Sequence, residues 1–148
     1  MEKISAISLQ SLSGLYGSTH NLDKLITDFK NNPTPDEASF WTEIGEQIYQ
    51  QDDVCLLSYA TIFKLIDFYL SLQKIHLQLL TYTAILEINR EEIDILPAEW
   101  IKPYDIAIQK LLNFATQQSL DKNSCVAFAC LLAAVNKQFE TAKKIMNS

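Results

Sequence analysis

A chain of 148 residues fits one ordinary domain, and 48% hydrophobic against 20% charged residues places it inside the globular range, away from disordered chains. Only 3 Gly and 4 Pro are present, too few for an all-β domain with many tight turns. A net charge of −6 disfavours nucleic acid as a ligand, because binding phosphates needs a concentrated cationic surface. One all-α domain over residues 1–148 is therefore expected.

The front end, residues 3–12 and 22–29, predicts two short helices split by Gly14 and Gly17. Thr34, Pro35, Asp36 and Glu37 then read as a threonine cap, a proline at the first helical position and a glutamate closing a capping box, which predicts a helix over 35–50. Gly45 is a mild liability inside it, and Asp52 and Asp53 supply the cap for the next helix. That helix carries Leu56, Tyr59, Phe63, Ile66 and Leu70 at 3,4,3,4 spacing, widened by Ile62, Leu65 and Tyr69. Its polar strip of Ser58, Thr61, Lys64, Asp67 and Ser71 is narrow, so a largely buried central helix is predicted.

If that stripe simply continued, positions 73 and 74 would be apolar, yet Gln73 and Lys74 stand there and a series of Leu72, Ile75, Leu79, Tyr82 and Leu86 starts out of phase. The slip implies a turn near Ser71, although no Gly or Pro marks it and one bent helix over 54–89 stays open as the alternative. From Arg90 to Ile95 the periodicity is lost, which reads as a charged connection. A helix over 98–118 opens at Pro97 or Pro103 with Tyr104, Ile108, Leu111 and Ala115 on one face. The last series, Phe128, Leu132, Val135, Phe139, Ala142 and Met146, predicts one or two helices, with 136–138 as a polar place for a turn.

The sum is seven or eight antiparallel helices. The pairs 54–70 with 72–89 and 98–118 with 124–136 repeat in length and order, which predicts a short HEAT-like α-solenoid or an irregular bundle.

No catalytic, metal or cofactor motif emerges. His20 and His76 lack a ligand partner at i+3 or i+4 and read as ordinary surface histidines. The glycines at 14, 17 and 45 build no GxSxG turn and no phosphate loop. Paired carboxylates sit at helix starts or connections, where solvent and helix dipoles hold them. Cys55, Cys125 and Cys130, an odd number without a CxxC pair, read as reduced core thiols. Residues 1–14 lack the apolar core of a secretion signal and no apolar run is long enough to span a bilayer, so a cytoplasmic protein without membrane attachment is expected.

Charge is placed unevenly: residues 1–53 carry net −6, 54–105 net −3 and 106–148 net +3. An acidic body suits a basic partner. The densest acidic run is Glu87, Glu91, Glu92, Asp94 and Glu99, which reads either as a solvated connection or as a partner surface. Trp41 reads as core beside Phe40 and Ile44, whereas Trp100 is open to both a core place and an exposed anchor.

The segments FWTEIGEQIYQQDDVCLLSYATIFKLIDFYL, LPAEWIKPYDIAIQKLL and VAFACLLAAVNKQFETAKKIM, taken in order over residues 36–146, resemble small bacterial helical proteins with HEAT-like helix pairs, among them immunity proteins of polymorphic-toxin and contact-dependent growth-inhibition systems. The chain departs from that pattern at Ile62, where a proline often interrupts the central helix, and at 136–138, where a Gly-His turn often stands. The resemblance implies a cytoplasmic protein without enzymatic activity that binds and neutralises one cognate toxin domain, frequently a basic nuclease, as a monomer within a heterodimer. The expected partner-binding residues are Asp52, Asp53, Glu87, Glu91, Glu92, Asp94 and Trp100. The competing expectation is a non-enzymatic helical adaptor or scaffold whose binding face is apolar.

Overall fold

A computed structural model describes residues 3–12, 22–33, 36–49 and 54–147. The chain is all-α: seven α-helices, α1 (Leu22–Asn31), α2 (Glu37–Ile48), α3 (Leu56–Ser71), α4 (Leu77–Ile93), α5 (Ala98–Thr116), α6 (Lys122–Val135) and α7 (Phe139–Met146), with no strand among the described residues. None of these helices is long and apolar enough to cross a membrane.

The first expected helix is absent. Within residues 3–12 there is only a turn and one 3₁₀ turn, Leu9–Ser11, because Ile4, Ile7 and Leu9 reach the core at spacings of three and two that no helical face reproduces. Gly14 and Gly17 lie outside the described residues. Helix α2 begins later than expected: Asp36 is its cap, accepting from the Ser39 amide at 3.4 Å, while Thr34 and Pro35 lie outside the described residues. Glu37, expected to close a capping box, instead turns across to Tyr69 and Lys74.

Cys55 occupies the cap of α3, where Asp52 and Asp53 were expected; the Cys55 amide donates to Ser58 Oγ at 3.0 Å, and Ser58 donates to the Ile48 carbonyl at 2.6 Å. That bond ties the end of α2 to the start of α3. Ser58 and Thr61, assigned to a polar strip by the sequence, are buried, so the first turns of α3 are enclosed on every side.

The phase slip after Ser71 is a real break. The Lys74 amide bonds the Tyr69 carbonyl and the Gln73 amide bonds the Leu70 carbonyl, a Schellman closure with Gln73 left-handed at φ 54°. The same closure ends α6, through Gln138 to Ala133 and Lys137 to Ala134, with Lys137 at φ 61°. The charged segment from Arg90 is not a connection: α4 continues through it to Ile93 and closes on Asp94 at φ 46°. Pro97 opens α5, its carbonyl accepting the Trp100 amide at 2.9 Å, and Pro103 lies inside the helix. Helix α6 starts at Lys122, capped by Asp121, which accepts from the Ser124 amide at 2.8 Å.

The helices stack in pairs. Helix α3 packs on α4 and on α5, and α4 packs most closely on α6, so alternate helices form two layers; α7 lies along α6 and also touches α4. The α4–α6 approach is close where Ala84 of α4 lies near Ala127 and Cys130 of α6, small residues that let two backbones near each other. Cys125, one position past the buried Ser124, is rotated out to solvent, which corrects the expectation of three core thiols; all three cysteines are free. Below α1 and α2 the core is aromatic, with Phe29 stacked on Phe40 at 4.0 Å and Trp41 alongside Tyr69 at 5.9 Å.

Candidate functional site

Two clefts open toward opposite ends of α4. The first, about 550 Å³, lies among the last turns of α4, the first half of α5 and the junction of α6 with α7. Its position follows from the continuation of α4 past Asn89, which sets Glu87, Arg90, Glu91 and the capping Asp94 along one helix end facing Asp105 of α5. Four carboxylates, those of Glu87, Glu91, Asp94 and Asp105, line it with two cations, Arg90 and Lys137, and Ile101, Val135 and Phe139 supply apolar wall.

Glu87 forms the floor. It is 8% exposed, and burial pushes its carboxyl up to about 7, against the pull of the Arg90 guanidinium and with Asp105 adding to the rise. Arg90 Nη1 stands 3.3 Å from Glu87 Oε1 and 2.5 Å from Asp105 Oδ1. Burial opposes the guanidinium charge, yet Asp105 and Glu87 outweigh it and raise its pKa. The guanidinium also lies over the Tyr104 ring, 5.4 Å from its centroid, and Tyr104 meets Tyr59 edge-on at 5.6 Å. At the rim, Lys137 Nζ reaches Glu91 Oε1 at 3.0 Å; both side chains are more than half exposed, so the pair contributes at most about 1 kcal/mol.

The second cleft, about 700 Å³, lies between α2 and the beginning of α4. A chain of hydrogen bonds forms its inner wall. Trp41 Nε1 donates to Tyr69 Oη at 2.9 Å, Tyr69 Oη donates to Glu37 Oε2 at 2.7 Å, and Lys74 Nζ donates to both Glu37 oxygens at 3.1 Å. Burial raises the Glu37 carboxyl, but the hydrogen bonds from Tyr69 and Lys74 and the charges of His76 and Lys74 prevail, and its pKa is lowered.

His76 caps α4. Its Nδ1 accepts the Gln78 amide at 3.0 Å, which leaves the neutral ring's proton on Nε2, 3.6 Å from Glu37 Oε1. Burial lowers its pKa against the pull of Glu37. A ring with one nitrogen capping a helix and the other protonated has no lone pair to offer a substrate as a general base. This histidine is half-buried and structural, where the sequence suggested an ordinary surface position. His20 lies outside the described residues.

Aromatic rings make the rest of the second cleft. His76 and Tyr82 lie nearly parallel to Trp41, with centroids at 5.4 Å and 6.1 Å, and Tyr49 meets Tyr82 edge-on at 6.3 Å. Gly45 explains itself here: a Cβ at that position would stand 2.1 Å from the Tyr82 hydroxyl oxygen, so only glycine lets that ring settle against α2.

No family model, curated protein or solved structure matches the chain. Local geometry therefore carries the functional reading. Of the residues expected to bind a partner, the structure brings Glu87, Glu91 and Asp94 to one cleft. Glu92 is exposed but does not line it, and Asp52 and Asp53 lie outside the described residues. Trp100 is fully buried, so its indole belongs to the core and is not an exposed anchor: at the third position of α5 it points inward with Tyr104. The sequence reading missed the cation Arg90, which reaches the site because α4 continues past Asn89, and Asp105, which reaches it because α5 crosses the end of α4. It also missed the second cleft, whose signal, three aromatic rings spread over 41, 49 and 82, is long-range. Among the described residues no group of three or more His, Cys, Asp or Glu is placed to hold a metal ion.

Proposed function

We propose that this chain is a protein-binding module that neutralises a cognate toxin domain, docking a basic surface of that domain against the acidic cleft at the end of α4. The observation that carries this reading is the convergence of Glu91, Asp94 and Asp105, all exposed, around apolar wall from Ile101, Val135 and Phe139. Carboxylates at a rim accelerate encounter with a cationic surface, and apolar contacts inside it hold the complex once formed. The buried Glu87 and the Arg90 guanidinium, which also holds the exposed Asp105, fix the floor, so the rim presents a preformed arrangement and little ordering cost is added on binding.

The test is co-expression with a basic toxin domain taken from the end of the neighbouring upstream reading frame; a neighbouring frame that ends in no such domain counts against the reading. Growth should be restored by the wild-type chain and lost again with the double reversal Glu91→Lys and Asp94→Lys, whose fold is checked by circular dichroism. Failure of the wild-type chain to restore growth rejects the reading. A helical adaptor working through an apolar face would bind its partner with little change between low and high salt, and that outcome would select the competing interpretation.

A further inference from the structure

We infer that the groove between α3 and α5 is a self-docking face, through which two copies of this chain pair about a twofold axis. The inference goes beyond the toxin-binding proposal and does not rest on it. The groove, about 340 Å³, lies between the second half of α3 and residues 102–110 of α5. Ile66 and Ala107 are its buried floor, and Phe63, Leu70 and Ile106 are apolar wall. Ile106 is 46% exposed, more than any other large hydrophobic among the described residues, so packing within one chain leaves it uncovered.

Charge names the occupant. Asp67 on α3 and Lys102 and Lys110 on α5 line the same groove, and all three are exposed. Among the described residues none of these side chains has an ion pair, although Lys74, Arg90 and Lys137 elsewhere each hold a carboxylate. A wholly basic rim would call for an acidic partner, but an apolar strip carrying both signs is complementary to itself. In a twofold interface residue i of one copy meets residue j of the other and j meets i, so a contact between Asp67 and a lysine across the axis is made twice. Lys102 and Lys110 stand about 12 Å apart along α5 with Ile106 midway, so a lysine flanks the apolar centre on each side. The chain carries net −6, and copies repel one another over most of their surface. Here two cations line the groove against one carboxylate, and that repulsion is locally relieved.

The acidic cleft stays open in such a pair. Ile101 and Asp105 line that cleft, whereas Pro103 and Ala107, each two positions further on, are turned about 200° around α5 toward the groove. Each copy in the dimer therefore keeps its own carboxylate rim free for a basic partner.

The experiment is sedimentation equilibrium of the intact chain from about 10 μM to 1 mM, a range that covers weak, specific dimers. The apparent mass should rise from one chain toward two and stop there, since a twofold face closes on itself. Ile106→Ser, a change at an exposed side chain, should weaken pairing at least about tenfold, because each dimer loses two apolar anchors. The charges are tested by exchange. Asp67→Lys makes the groove wholly basic, Lys102→Glu with Lys110→Glu makes it wholly acidic, and each variant alone should keep the mass of one chain at every concentration. Mixed in equal amounts the two should pair with each other, which excludes misfolding as the cause of their separate losses. A wild type that keeps one chain's mass at about 1 mM overturns the inference, as does a mass that grows beyond two chains. A dimer unchanged by Ile106→Ser or by either charge variant, or a mixture that does not pair, overturns it as well. A single-chain wild type that binds an acidic amphipathic peptide in this groove assigns the face to another protein and equally overturns it. None of these outcomes decides the toxin-binding proposal, which is read by restored growth.

Discussion

Tyr69 stands between two groups with opposite needs, a buried indole N–H that must donate and a carboxylate that must accept. Its hydroxyl serves both, and burial together with the Glu37 bond raises its pKa, so it stays protonated at any pH at which the fold is used. Tyr69→Phe would leave the ring packing in place but strand Trp41 Nε1 in a buried setting and remove one donor from Glu37. An unsatisfied buried donor costs about 1–3 kcal/mol. We expect a loss of that size in urea denaturation with an unchanged denaturant slope; a loss below about 0.5 kcal/mol would mean that the hydrogen-bond chain adds little to stability. The place of Trp41 in the core was legible from Phe40 and Ile44 beside it, because those neighbours share its helix. Its bond to Tyr69, 28 residues away, was not legible, since nothing local to either residue encodes it. Trp100 shows the converse. Its acidic neighbours suggested a surface, but only the path of α5 decides that the third helical position faces inward.

At the scale of elements, the helix pairs were readable and their ends were not. The out-of-phase stripes on either side of Ser71 expose the break between α3 and α4, since a continuous helix would turn one of them to solvent. The break carries no glycine because Gln73 adopts the left-handed conformation itself, as do Asp94 after α4 and Lys137 after α6. A left-handed non-glycine residue costs about 1–2 kcal/mol, part of which a glycine would give back to the unfolded chain as entropy. Gln73→Gly should therefore stabilise the protein by up to about 1 kcal/mol, read as a raised denaturation midpoint; a destabilised variant would show that the Gln73 side chain contributes more than its backbone strain costs. The α4–α5 contact carries a second, pH-dependent expectation. Glu87 has a folded pKa of about 7 against 4.5 unfolded, so between those values the native state holds more protons than the unfolded one. Stability from this group is therefore full below pH 4.5 and falls as pH rises through 7, by a few kcal/mol at most. His76 acts in the opposite sense: its folded pKa is lowered, so its contribution is full above 6.5 and falls as pH drops. The difference between wild type and Glu87→Gln isolates the first effect. Unfolding free energies at several pH values from 5 to 8 should show the difference shifting in favour of the variant as pH rises, and a flat difference would contradict a protonated buried Glu87.

At the scale of the whole molecule, charge separates the two clefts. Helix α4, with 17 residues, is about 25 Å long, more than two screening lengths at an ionic strength of about 0.1 M. Carboxylates near α2 are thus screened from the acidic cleft, and steering of a basic partner should depend on local charge more than on the total of −6. Two double reversals separate the alternatives. Glu91→Lys with Asp94→Lys and Asp28→Lys with Glu43→Lys each change the net charge by +4, from −6 to −2, the first at the cleft and the second on α1 and α2. Glu91→Lys also exchanges an exposed ion pair with Lys137 for a like-charge contact, a change of about 1 kcal/mol or less that should leave the fold intact. If the proposed toxin domain is the partner, its stopped-flow association at low salt should slow about tenfold for the cleft pair and less than twofold for the distant pair, with the gap closing as salt is raised. Equal slowing by both pairs would show that net charge, and not this cleft, guides the encounter, and would remove the cleft as the docking face.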